Sequence, residues 1–336
     1  MTTENALLWQ ASGLPQLVKT HAEEGRLVHK YVLNRLLLLI PTLLGVILIV
    51  FSIMELIPGT PARLILGAFA PEEAVDQLNE ELGYNRPFVV RFGTYALSMA
   101  QGQFGSSYLS RKPVSGEIIS RFPTTLKLAV LAVVISAIIG IPMGILSAVK
   151  QYSSVDIIST GMAMFLAAIP GFWLGLMLIL TFSLDLGWLP TNGIGSIRHY
   201  ILPTITMCLP GAASIMRMTR STMLETIRQD YIRTARAKGA SEKRVILNHA
   251  LKNALLPVIT SLGMRFGGML GGTILIESVF GMPGLGTLVV NAIRQKDIPL
   301  VMGSVIFLAV LFCLIMLTVD LIYAYLDPRI KAKYTK

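Results

Sequence analysis

Charge is what this sequence has least of. Of its 336 residues only 14% are Asp, Glu, Lys or Arg, against 53% apolar, which is too little polar surface to cover a soluble domain of that length. Cysteine is nearly absent. The two that occur, Cys208 and Cys313, sit in apolar runs without paired spacing, so neither a disulfide framework nor a thiolate metal site is indicated. Histidine is as sparse: His21, His29, His199 and His249 are scattered through tails and loops, which argues against a histidine metal cage. His199 alone lies near an expected outer mouth. The sequence has no GxxxxGK[ST] phosphate loop, no HExxH, and no serine or paired acids arranged inside apolar runs for intramembrane proteolysis. No catalytic residue and no metal ligand is therefore assigned, and any energy source is expected outside this polypeptide. Residues 1–30 carry Glu4, Glu23 and Glu24 and lack an apolar centre, unlike a cleaved secretory signal.

What the sequence has in abundance is long apolar runs. A helix crossing the hydrocarbon layer needs about 20 mostly apolar residues, and six runs qualify, near 32–54, 125–149, 156–184, 200–218, 254–277 and 301–326. The fold class expected is an all-α polytopic membrane protein with six transmembrane helices. Its organisation reads as an N-terminal cytoplasmic extension over 1–30, a first transmembrane helix over 31–57, and an extracytoplasmic helical segment over 58–122. A core of five transmembrane helices over 123–327 and a cytoplasmic tail over 328–336 complete it. The net charge of +10 is unevenly placed. Arg220, Arg228, Arg233, Arg236, Lys238, Lys243, Arg244 and Lys252 lie between the fourth and fifth runs, and Lys150, Arg329, Lys331, Lys333 and Lys336 fall on the same side if spans alternate. The positive-inside rule puts that side, and both termini, in the cytoplasm.

In the outer segment, Pro71 with Glu72 and Glu73 suits a helix start and Gly83 its stop, and a second helix is predicted from Pro87 to Gly102. These helices read as a lid or as a docking and gating surface. Pro41, Pro142, Pro170, Pro203 and Pro210 are expected to bend their spans. In the fifth run Gly263, Gly267 and Gly271, with Gly268 and Gly272 beside them, form a ridge for close helix approach, within the bundle or against a second subunit. Arg265 lies near the middle of that run, where an unpaired cation would cost at least ~2.5 kcal/mol; it should face a cavity, a partner acid or another subunit. Arg265, Gly267 and Gly271 are thus candidates for the translocation path or for packing. Glu55 and Asp320 sit close enough to the interfaces to reach water.

One passage breaks the apolar pattern: DYIRTARAKGASEKRVILNHALKNALLP, Asp230 to Pro257. It reads as helix, break, helix, with Gly239 in a left-handed C-terminal position and Ser241 capping the helix through RVILNHALKN. Ala235, Ala237 and Ala240 keep the bend slim, so a partner surface can close over it. Val245, Ile246, Leu247 and Leu251 are apolar near its tip, able to pack back onto the bundle or to insert into another protein.

The run YIRTARAKGAS followed by NHALKNALLP resembles the cytoplasmic signature of binding-protein-dependent importer permeases, the membrane subunits of ATP-binding-cassette uptake systems. Gly239 fills the signature glycine and Ala235 its second alanine, while Arg233 and Thr234 replace the leading Glu-Ala. His249 stands at the isoleucine position, Leu251-Lys252 replaces Leu-Pro, and a Leu-Pro arrives only at Leu256-Pro257. Those departures resemble the dipeptide, oligopeptide and nickel branch. So do YVLNRLLLLIPTLLGVILIVF, IPGTPA, ELGYNRPFVVRF, GQFGSSY, RFPTTLKLAV, ESVFGMPGLGTLVVNAIRQKDIPLV and DLIYAYLDPRI, which cover most of residues 31 to 331 in order. Arg265 is unusual for that family.

The resemblance implies a coupling helix around Gly239 that docks into a separate cytoplasmic ATPase through Arg233, Thr234, Ala235, Ala237, Lys238, Gly239, Ala240 and Ser241, with Ala235 and Gly239 the tightest contacts. It implies a second homologous permease, two ATPase subunits that carry the ATP and Mg, and an extracytoplasmic substrate-binding protein. This chain itself would hold no cofactor. In the ESVFGMPGLG stretch, Glu277, Phe280, Pro283, Gly284 and Gly286 become candidates for an extracytoplasmic gate or docking surface. Peptide is the leading substrate, with nickel or another small solute as the alternative. A self-contained channel or ion-coupled carrier, its basic loop only setting topology, is the alternative of another class.

Overall fold

The computed structural model describes residues 37–56 and 59–326. The extension 1–30 with His21 and His29, the tail 328–336 and the Asp320 side chain lie outside them. All regular structure among the described residues is helical, with a single isolated bridge between Ser106 and Pro113. The first helix, α1 (Leu37–Glu55), leaves Leu37, Leu38, Ile40, Ile49 and Ile53 exposed. A helix apolar all round has a stable place only in lipid or deep in a bundle.

A short α2 (Pro61–Leu66) starts with Thr60 accepting from the Arg63 amide. The helices α3 (Glu72–Glu81) and α4 (Phe88–Ala100) follow where the prolines and glycines of the sequence put them, with Gly83 and Gly102 at positive φ. The second helix is fastened to α1: Phe51 makes ring contacts with Phe88, Phe92 and Tyr95, and Arg91 pairs with Glu55. Glu55, expected to reach water, is thus committed to a partly buried ion pair.

α5 (Val114–Val149) begins well before the apolar run does, and Pro123 and Pro142 lie inside it without ending it. The third apolar run is two helices, α6 (Ser154–Ala168) and α7 (Gly171–Leu178), the latter continued by a π-helical segment Ile179–Asp185; the pair is bent by 96°. The cause is local. Pro170 has no amide to donate and forces Ile169 into an extended conformation, φ −75° and ψ 126°. By contrast Pro203 and Pro210 remain within α8 (Arg198–Ile227), which outruns its apolar stretch because helix formers continue through TMLETI.

After α8 come α9 (Asp230–Ala237) and α10 (Glu242–Gly271), the second with a π-helical turn Val245–Ala250 inside it. The segment RVILNHALKN, expected as a separate helix, is the start of the fifth crossing. Beyond Thr273 lie α11 (Ile274–Val279), α12 (Leu285–Arg294) and the long α13 (Ile298–Leu326). Among the described residues five helices are long and apolar enough to cross a membrane, and the bent α6–α7 pair makes a sixth if it is one span.

Packing depends on places without side chains. A Cβ on Gly140 would lie 2.7 Å from the Ala212 carbonyl oxygen and one on Gly144 2.6 Å from that of Met216, so α5 and α8 touch backbone to side-chain stub. Gly144→Ala therefore forces the two helices apart and is expected to cost about 1–3 kcal/mol. Gly161→Ala, on the open side of α6 with nothing within 4 Å, should be neutral or slightly stabilising. Thermal melting of both variants in detergent checks this; equal melting temperatures would contradict it.

Candidate functional site

The Asp230–Pro257 passage forms one compact feature. α9 carries Asp230 in its first turn and Arg236 in its last, matching the helix dipole. It ends in Gly239, at φ +81°. The Gly239 amide donates to the Arg236 carbonyl at 2.9 Å and the Ala240 amide to that of Ala235 at 3.2 Å, the two bonds of a left-handed glycine cap. Ser241 occupies the next N-cap position, but its side chain makes no cap bond; only its carbonyl serves, accepting the Val245 amide at 2.9 Å. Arg236 grips Glu242 with two bonds, 2.7 and 3.2 Å, across the bend.

Beneath the turn is an apolar footing. Ile232 and Val245 are fully buried with Met223 of α8 and Ala148 of α5, and Ala235, Ala240, Ile246 and Leu251 pack against them. Of the four apolar residues at the tip, only Leu247 is left exposed. Asn253 donates to the Tyr231 hydroxyl at 2.8 Å and so ties α9 to α10. What faces outward is Arg233, Thr234, Ala237, Lys238, Gly239 and Ser241. Ala235, expected among the tightest contacts of a partner, instead turns inward, because it shares the helical face of buried Ile232.

A buried ion pair stands at the same end. Asp156, at the start of α6, accepts from Arg220 Nε at 2.6 Å and Nη2 at 2.8 Å, from the Tyr152 amide at 2.9 Å, and from the Ser147 hydroxyl. It joins the α5–α6 turn to the lower part of α8. In the sequence the only signal of this pair is an acid at the mouth of an apolar run.

At the opposite end the ESVFGMPGLG stretch folds around Glu277. Its carboxylate is fully buried and accepts from Thr125 Oγ1 at 2.6 Å, Thr273 Oγ1 at 2.9 Å and the Thr287 amide at 3.0 Å. Gly284 and Gly286 must lack side chains: a Cβ on either would run into Glu277. Phe280 is buried with Leu128 and Leu202. Of the five residues proposed there for docking or gating, only Pro283 offers surface; the other four are the inside of the clamp. Nearby, Asp297 accepts from the Ser107 hydroxyl and the Tyr108 amide. Burial first, then the Asp297 carboxylate and Tyr84, push the Tyr108 phenol up to about 12. His199 is held by Ser196, whose amide and hydroxyl lie 3.1 and 3.0 Å from its Nδ1.

The glycine ridge of α10 divides in two. Gly263 and Gly267 meet Val319 and Phe312 of α13, while Gly268 and Gly271 have nothing within 4 Å. Arg265 stands nearer the far end of α10 than its middle, since the helix starts at Glu242 and breaks at Thr273. It is half-buried, reaches to 3.9 Å from the Cβ position of Gly211 on α8, and makes no hydrogen bond or ion pair among the described residues.

Two family descriptions match the chain: "Binding-protein-dependent transport system inner membrane component" over residues 140–332, and the N-terminal part of such a membrane component over 28–129. The chain is 44% identical over 303 residues to the glutathione transport system permease protein GsiC of Salmonella typhimurium (strain LT2), covering 90% of this chain and 99% of the relative. It is 43% identical to the GsiC protein of Escherichia coli (strain K12) over the same extent. Among solved structures, an inward-facing conformation of the MetNI methionine ABC transporter covers 64% of this chain and 99% of its own, with a TM-score of 0.54 at 20% identity. That likeness concerns the fold.

Proposed function

This chain belongs to the family of binding-protein-dependent transport system inner membrane components, the membrane permeases of ABC importers, and we propose that it forms half of a pathway for short peptides, driven by separate ATPases that engage the Gly239 turn. The observation that carries this reading is the build of that turn. It presents cations, a small residue and a glycine outward on a footing of Ile232 and Val245 that is continuous with α5, α8 and α10. A push on such a turn moves crossing helices, because the apolar footing does not deform. A loop that served only to set topology would need neither the footing nor the cap.

Side follows from charge. With Lys150, Arg228, Arg233, Lys238, Lys243 and Lys252 at this end, the positive-inside rule assigns it to the cytoplasm, where ATP is. The α3–α4 segment then lies outside, toward a substrate-binding protein. A second permease completes the pathway, and Mg and ATP belong to the ATPase subunits. Peptide is favoured as substrate by 44% identity to a glutathione transport permease.

The test is uptake into proteoliposomes. This chain with its partner permease, ATPases and binding protein is expected to accumulate labelled dipeptide only with ATP inside the assay, and the purified chain alone to accumulate none. Transport by the chain alone, or uptake of nickel but of no peptide, would overturn the reading.

A further inference from the structure

A cavity of about 220 Å³ lies between the end of α1, the α3–α4 turn, α4 and the start of α13. Its walls follow from the local sequence. Gly83, at φ +71°, ends α3 and lets the Tyr84 amide donate to the Asn79 carbonyl at 2.8 Å, and this turn brings Tyr84 and Arg86 to the cavity beside Glu55 of α1 and Arg91 of α4. Three charges thus line one small space. Arg91 is answered, since its Nη2 pairs with Glu55 Oε1 and its guanidinium carbon stands 4.4 Å from the centre of the Tyr84 ring. Arg86 is not. Its guanidinium makes no hydrogen bond or ion pair among the described residues, and Glu55 Oε2 accepts no hydrogen bond among them either. Two further polar atoms of the lining residues, Arg91 Nε and the Tyr95 hydroxyl, are buried without a hydrogen-bond partner among the described residues, which native interiors rarely leave. Burial first, and Tyr108 beside it, hold the Tyr95 phenol well above its ordinary value, so it stays a protonated donor.

These groups select a ligand by charge. An uncommitted guanidinium suits a carboxylate, while a carboxylate oxygen with tyrosine rings in the same wall suits an ammonium. The space is below the ~300 Å³ at which sites for drug-sized molecules begin, so the occupant is small. We infer that this cavity binds a small zwitterion, an amino acid or a dipeptide, with its carboxylate on Arg86 and its ammonium on Glu55 Oε2. A phosphate fits less well, because Glu55 repels it. The site stands apart from the Gly239 turn and from the Glu277 clamp, and it does not rest on peptide being the transported substrate. An occupant would touch α1, α4 and α13 together and so hold the segment between α1 and α5 against the bundle.

The test is equilibrium binding of labelled Ala-Ala to the full chain purified in detergent, with no binding protein present to compete for the peptide. Ala-Ala is expected to bind more tightly than N-acetyl-Ala-Ala, which lacks the ammonium, and than Ala-Ala amide, which lacks the carboxylate. Arg86→Gln should weaken Ala-Ala binding about tenfold, the loss of one charge-assisted hydrogen bond, and remove its advantage over the amide but not over the acetylated peptide. Ser98→Leu, which puts bulk into the same cavity, should weaken all three. Because Arg86 is exposed, its variant should melt with the parent, which separates lost binding from lost folding. Binding of Ala-Ala that neither substitution alters overturns the inference and puts the peptide elsewhere on the chain. Binding of inorganic phosphate in preference to Ala-Ala, or of neither, overturns it as well. Transport is not the readout, so an importer that moves dipeptide while this chain fails to bind it here sinks this inference alone and leaves the peptide reading standing.

Discussion

Gly239→Asp is expected to abolish ATP-driven uptake while leaving the chain inserted and its melting temperature little changed. The expectation follows from two properties of the position. Its φ of +81° is one that Asp and Asn tolerate better than other side chains, and a Cβ built there meets nothing within 4 Å. Within this chain the substitution therefore costs only the left-handed strain, about 1 kcal/mol. The apolar footing beneath is untouched. Any larger effect must come from something that closes over the turn, and a partner groove fitted to a bare glycine beside Lys238 would meet both bulk and a new negative charge. Gly239→Asn separates the two: it brings the same bulk and conformation without the charge, and should lose coupling partly. Uptake per transporter, with melting measured on the same preparations, decides it. Full uptake by Gly239→Asp would remove the ATPase from this surface.

The second large effect is on stability. Asp156→Ala should destabilise the fold by roughly 3–5 kcal/mol, the usual cost of leaving one half of a buried ion pair behind. Asp156 has a side chain only 5% exposed and satisfies both Arg220 nitrogens, the Ser147 hydroxyl and the Tyr152 amide. Tyr152 itself holds φ +65°, a conformation unfavourable to an aromatic residue, and its amide donates to Asp156 there. Removal of the carboxylate thus strands a guanidinium and releases a strained turn together. Asp156→Ala combined with Arg220→Met should recover much of the loss, since the stranded charge is then gone. Thermal melting of the three variants in one detergent is the measurement; a loss below about 1 kcal/mol in the single variant would show the pair to be of surface grade.

How much of this was legible beforehand differs by element. The caps of α3, α4 and α9 were readable because each is made by a residue within a turn of the helix end: Pro71, Pro87 and Gly239 act on their own backbone. The 96° break between α6 and α7 was half-readable. Pro170 marked the place, but Pro142, Pro203 and Pro210 looked the same in sequence and remained inside helices. What differs is the backbone: Ile169 before Pro170 is extended, while the other three prolines stay within helical stretches. Gly140 and Gly144, where a Cβ would run into the backbone of α8, stand four residues apart, a spacing as visible in the sequence as that of the ridge in α10.

The apolar run lengths, the uneven basic charge and the local turn chemistry are properties of residues near one another in the chain, and from them alone followed the all-α membrane class and the left-handed cap at Gly239. Other features depend on partners far away in sequence. Glu277 is buried because Thr125, 152 residues distant, reaches it, and Asp156 is neutralised by Arg220, 64 residues distant. Only the tertiary structure could decide that four of the five supposed docking residues form an internal clamp, that Ala235 faces inward, and that Gly263 and Gly267 are packed while Gly268 and Gly271 lie open. Periodicity tells which residues share a face; it does not tell what that face meets, and burial, pairing and exposure are set by the meeting.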